Sequence, residues 1–356
     1  MARADSKSHT VGLRRLLSEA YHPASLFALL FMNITDFFIN PETKLLRSGW
    51  RALAFMFVLI LPQWLMSALF KPASSGEGSV FEASIGMILV YAILVGWALL
   101  VSWACLRFLD RLKFGALGFS LHSNWQRETL SGLVISFVMI AAIVGLQSIA
   151  GTRVRLNPFW FTAEGVDWAA LGVVGKESLL ALMLLILAGA FEELVFRGYA
   201  FQTLLRGTSP VVPILALSAF FALGHWNNPS RTLFSTVNTV LAGVWLAVAY
   251  LKTRSLWFPT ALHFGWNWTM GAVFGLPVSG LLIPQHPIMV STVETPIWLT
   301  GGSYGPEGGA AATVIVILSI ICIWRTKWLG VAPDMHVALS DSLVPDHSMT
   351  TLDLRS

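Results

Sequence analysis

The sequence predicts an all-α fold, a polytopic membrane bundle of about eight transmembrane helices enclosing a polar cavity. Three observations predict it. Of the 356 residues, 55% are hydrophobic and only 12% charged, where soluble domains carry about 25% charged residues; the mean hydropathy is +0.69. Stretches free of Asp, Glu, Lys and Arg recur along the chain at roughly the 20 residues a bilayer span needs. Basic residues and many of the 15 tryptophans (Trp50, Trp125, Trp257, Trp298, Trp324, Trp328) gather at the ends of these stretches, where interfacial anchors sit.

Residues 1–50 read as a cytoplasmic N-terminal segment. Its apolar stretch, 24–38, contains Asp36 and is followed by no small-residue cleavage site, which favours an interfacial helix over a removed signal peptide. The transmembrane domain covers 51–330. Its first three spans are expected at 52–70, 83–106 and 129–152. The fourth begins at 178–191, is interrupted by Glu192, Glu193 and Arg197, and continues to about 205, which puts Glu192 near mid-bilayer. The remaining spans are expected at 211–226, 232–251, 256–276 and 309–324. A connector at 109–126 reads as amphipathic, the run from Gly301 to Gly309 as a loop without chemistry, and 331–356 as a disordered cytoplasmic tail.

Loop charges give the orientation. Lys44, Arg47 and Arg51, then Arg107, Arg111, Lys113 and Arg127, then Arg206, Lys252, Arg254, Arg325 and Lys327 fall on one side, while 277–308 has no Lys or Arg. The positive-inside rule puts both termini in the cytoplasm of a multi-pass protein of the cell (inner) membrane. The same clustering accounts for the net charge of +4. With no basic run carrying interleaved aromatics, nucleic acid is excluded as a partner, and the bilayer is the expected one. The two cysteines, Cys105 and Cys322, lie in apolar runs and read as small core residues.

Ionisable groups inside spans cost several kcal/mol unless paired or solvated, and so mark function. On a helix Glu193 and Arg197 share a face, which suits a bidentate ion pair, and Glu192 points elsewhere without that partner. A carboxylate of this kind suits a general base, although the three residues could equally form a packing network. His225 ends the fifth span in Phe221-x-x-x-His225. His263 and Asn267 share one face of the seventh span, either as a hydrogen-bonded pair joining helices or as donors to a developing oxyanion. Such a set suits the activation of water by a membrane-embedded hydrolase. No His-Glu-x-x-His or Gly-x-Ser-x-Gly motif is present, so a zincin site and a serine nucleophile have no support.

In order and spacing, Glu192-Glu193-x-x-x-Arg197, Phe221-x-x-x-His225 and His263-x-x-x-Asn267 resemble the three motifs of the CAAX-protease and bacteriocin-processing (CPBP, or Abi) family of intramembrane proteases, over a core of about 130–280. The resemblance implies an eight-helix fold around a conical cavity. It also implies endopeptidase activity on a membrane protein or peptide, in eukaryotic members beside a prenylated cysteine. By position, Glu192 and His225 would activate water, His263 and Asn267 would hold the oxyanion, and Glu193 with Arg197 would order the site. No cofactor is favoured; the alternative is a divalent metal such as zinc on Glu192, His225 and His263. Two other functions compete: a non-catalytic scaffold or immunity protein of the same fold, and a proton-coupled transporter, for which no inverted repeat is visible.

Overall fold

The computed structural model describes residues 34–69, 80–292 and 296–335, with the side chains of 62–69 and 80–83 outside that description. It is an all-α bundle. A short helix α1 (Ile34–Phe38) precedes α2 (Ser48–Leu69), α3 (Val80–Ala104) and α4 (Trp125–Ile149). Then follow α5 (Trp168–Phe196), α6 (Tyr199–Gly207), α7 (Val211–Gly224), α8 (Leu233–Thr253), α9 (Trp257–Trp268) and, after a long loop, the last helix (Ala310–Arg325). Among the described residues, four helices are long and apolar enough to cross a membrane: Ser84–Asp110, Trp125–Ile149, Trp168–Gly207 and Leu233–Thr253. The spans expected at 52–70, 211–226 and 309–324 coincide with shorter apolar helices, Ser48–Leu61, Val211–Gly224 and Ala310–Arg325, among the described residues, and the one expected at 256–276 begins as α9. Large side chains such as Phe57, Leu89, Ile93, Leu130, Val138, Leu179 and Leu215 are exposed on the outside of the bundle, the face a bilayer covers. The interfacial stretch expected at 24–38 lies outside the described residues up to 33, and the tail beyond 335 lies outside them too.

Local chemistry sets the helix ends. Asp167 caps α5, its carboxylate accepting from the N–H groups of Ala169 and Ala170 at 3.0 and 3.1 Å. This helix therefore starts ten residues before the expected 178. Lys176 and Glu177 are accommodated within it, Glu177 accepting from the His286 ring and backbone N–H at 3.0 and 2.9 Å. The span to 205 is broken rather than continuous: α5 stops at Arg197, Gly198 lies so close to the carbonyl of Leu194 that any side chain there would collide with it, and the helix resumes as α6. α8 starts on a reciprocal Thr232–Ser235 capping box.

Small residues set the helix spacing, as in membrane bundles generally. A Cβ on Gly132 of α4 would lie 2.6 Å from the Ala261 side chain and 2.8 Å from the Leu262 nitrogen of α9. Gly243 of α8 faces Ser218 of α7 in the same way, at 2.7 Å. Around these seams, among the described residues, lie a small apolar cluster of Leu185, Ala261 and Phe264 and two larger apolar cores. One joins Phe55, Leu59, Leu194, Tyr199 and Phe201; the other joins Ile140, Ile143, Leu246, Phe258 and Leu262.

At one end of the bundle, β1 (Arg153–Leu156) pairs antiparallel with β4 (Met289–Thr292), and a two-residue hairpin joins β2 (Phe161–Thr162) to β3 (Gly165–Val166). At the other end Asp334 accepts from the N–H and Oγ of Ser123, at 2.8 and 2.9 Å.

Candidate active site

Glu192 and Glu193 lie in the last turn and a half of α5, where neighbours are turned about 100° apart. That rotation separates them. Glu193 is fully buried between helices, whereas the Glu192 side chain is 25% exposed and lines a cavity of about 320 Å³. His225, His263 and Asn267 line the same cavity. The structure thus brings five residues of the three motifs, these four and Phe221, together at the cavity, and places Glu193 and Arg197 behind them.

Arg197 caps the C-terminus of α5 and is 1% exposed. Its Nη1 donates to Glu193 Oε1 at 3.0 Å, and its Nη2 donates to the carbonyl of Gly243 at 2.9 Å. The expected bidentate fork is therefore not formed. One arm neutralises the carboxylate and the other ties α5 to α8, because the helix has ended and the guanidinium reaches across to a backbone acceptor.

His263 Nδ1 lies 2.9 Å from Glu193 Oε1. That oxygen already accepts from Arg197, so Nδ1–H is the donor and Nε2 is left facing the cavity, 3.7 Å from Glu192 Oε2. Gly189 makes this approach easy, with only ordinary contacts to Phe264 and His263. His225 follows α7, where the last carbonyls lack helical partners. Its Nδ1 donates to Phe221 O at 2.8 Å, which also leaves Nε2 for the cavity. Phe221 organises the group: its ring packs 4.7 Å from the His225 ring and 5.9 Å from the His263 ring, with the Arg197 guanidinium carbon 4.9 Å from its centre.

The cavity contains one acid that sequence reading passed over. Glu307, in the glycine-rich loop, lines it and accepts from Trp266 Nε1 at 3.0 Å, Ser279 N–H at 2.8 Å and Ser279 Oγ at 2.6 Å. Asn238 of α8 donates to the carbonyls of Glu307 and Gly309, holding the loop on the bundle. The available signal was a single acid among glycines in a stretch otherwise poor in charge.

Among the described residues no group of three His, Cys, Asp or Glu is gathered as metal ligands. Glu192, His225 and His263 share a cavity without converging on one point, so this arrangement does not fit a zinc site.

Fold and site together define a multi-pass membrane protein with a buried Glu–His–Asn constellation. By comparison, residues 175–269 are similar to the family model of type II CAAX prenyl endopeptidases, Rce1-like. The match covers a little over a quarter of the chain, contains all seven named motif residues and is to the protease family that the motifs resemble. Neither the curated proteins nor the solved structures yield a significant match.

Proposed function

We propose that this chain is an intramembrane endopeptidase that hydrolyses a peptide bond in a membrane-associated protein or peptide, lipidated or not, by means of activated water. The observation that carries the reading is the convergence of Glu192, His225, His263 and Asn267 on one cavity, backed by the buried Glu193–Arg197 pair. The 3.7 Å between Glu192 Oε2 and His263 Nε2 exceeds a direct hydrogen bond and suits a bridging water.

Glu192 takes a proton from that water as hydroxide attacks the scissile carbonyl, with His225 Nε2 as the second group orienting it; general base catalysis of this kind contributes about 10²–10⁴ in rate. The oxyanion that develops is held by His263 Nε2–H and the Asn267 amide. For His263 to donate from Nε2 while Nδ1–H stays on Glu193, the ring must be imidazolium. The charge count allows it, since Glu192, Glu193 and Arg197 sum to one negative charge and the imidazolium brings the group to neutral. Glu192 then returns the proton to the leaving amine. The clustering of basic residues on one side of the spans supports a cell (inner) membrane location with both termini in the cytoplasm.

Reconstituted Glu192→Gln protein should lose at least about 10² in cleavage of a membrane-bound peptide library while keeping the wild-type melting temperature. Unchanged turnover would overturn the assignment.

A further inference from the structure

A second cavity, of about 490 Å³, opens where α1, the start of α2, the segment 105–112 that follows α3 and the end of α6 meet, away from the proposed catalytic residues. Three arginines line it, Arg47, Arg51 and Arg206, with a single carboxylate, Asp110. Asp110 is 3% exposed and is shared: Arg51 pairs with one oxygen and Arg206 donates to the other at 2.6 Å. Three cations against one anion leave a net +2 on the lining. The Arg51 side chain is only 9% exposed, and its Nε is a buried donor without a partner among the described residues. A buried guanidinium N–H left open beside a cavity signals a missing acceptor, because such groups are costly unless bonded. Ser48, Thr208 and the first-turn N–H groups of α2 add neutral donors at the same wall.

The rim identifies the source of that acceptor. Phe37 and Phe38 are 47% and 42% exposed and pack with Trp50 at ring separations of 5.1–5.4 Å, an aromatic cluster of the sort found at headgroup depth. An apolar groove formed by Phe38, Leu46, Trp50, Leu53, Ala54 and Phe57 adjoins the basic cavity, shares Leu46, Trp50 and Leu53 with it, and runs along the outer face of α2. A cationic cup continuous with an apolar channel matches an anionic head on an acyl chain.

We propose that this is a binding site for an anionic phospholipid of the bilayer, with the phosphodiester between Arg47, Arg51 and Arg206 and an acyl chain along the α2 groove.

The test is native mass spectrometry of the full chain taken from nanodiscs of mixed phosphatidylglycerol and phosphatidylcholine. The wild-type protein should retain phosphatidylglycerol preferentially. Arg47→Gln, at an exposed residue that does not bond to Asp110, should lower retention about fivefold, the equivalent of one interfacial charge. Ala54→Phe, which fills the groove, should lower it without changing the cavity's charge. Equal retention of the two lipids by wild type would overturn the proposal. So would thermal stabilisation by inorganic phosphate that matches stabilisation by phosphatidylglycerol, since the site would then take a free anion. Arg51→Gln and Arg206→Gln are uninformative if unfolded, so the two surface variants decide.

Discussion

His263 donates through Nδ1 to Glu193 Oε1 across 2.9 Å, which joins α9 to α5 over 70 residues of chain and fixes which ring nitrogen faces the cavity. Everything proposed for the reaction depends on that orientation, because a ring turned over would offer its donor to the helix interior.

Arg197 is the cation paired with Glu193, whose side chain is fully buried. Arg197→Met leaves an uncompensated buried carboxylate and should cost about 3–5 kcal/mol, read as a lower melting temperature in detergent. The double variant Glu193→Leu/Arg197→Met should recover much of that stability but not turnover, since His263 has lost its anchor. Recovery of both would show that the pair has no part in positioning.

Asn267 is assigned to a charge that exists only as the carbonyl is attacked. Asn267→Ala should lower kcat by about 10²–10³ with KM little changed. A rise in KM at unchanged kcat would instead make Asn267 a ground-state binding group.

Because the site's donors do not converge on one point, cleavage should survive exhaustive chelation. Loss of activity on chelation, restored by Zn²⁺, would contradict the water mechanism as written.

Outside the spans, His122 gives a pH prediction. It is 3% exposed; its Nδ1 accepts from Asn124 N–H at 3.2 Å, so Nε2 donates to Ser255 Oγ at 3.0 Å, with Glu128 3.4 Å away. Burial holds its pKa below the ordinary histidine value, outweighing the pull of Asp334. The opened chain therefore binds the proton more readily than the closed one. The contact's stabilisation is full above about pH 6.5 and is lost as the pH falls through and below it. Hydrogen-exchange protection, corrected for the slower intrinsic exchange at low pH, should fall in 118–125 and around Ser255 between neutral pH and pH 5; a His122→Asn protein should not show that fall. Flat protection in the wild type would refute this.

Much of the site could be read from the sequence because its spacing is local. Glu193 and Arg197, or His263 and Asn267, sit four apart, and helix geometry alone puts such pairs on one side. The charges that seemed to delimit spans were harder to read. Lys176 and Glu177 looked like the end of a loop, yet Glu177 is bonded to His286, 109 residues on. The stop at Arg197 was hidden because Gly198 matters there through its contact with the Leu194 carbonyl, which composition does not show. Glu307 was out of reach for the same reason: its partners Trp266 and Ser279 are brought to it by the folding of a long loop.

The contact of Gly132 with Ala261 locks two backbones together without intervening side chains. That seam couples α9 to α4, whereas Met87 and Tyr91 of α3 line another part of the cavity. Crosslinks that staple α4 to α9 should leave turnover intact, whereas staples across α3 should throttle it.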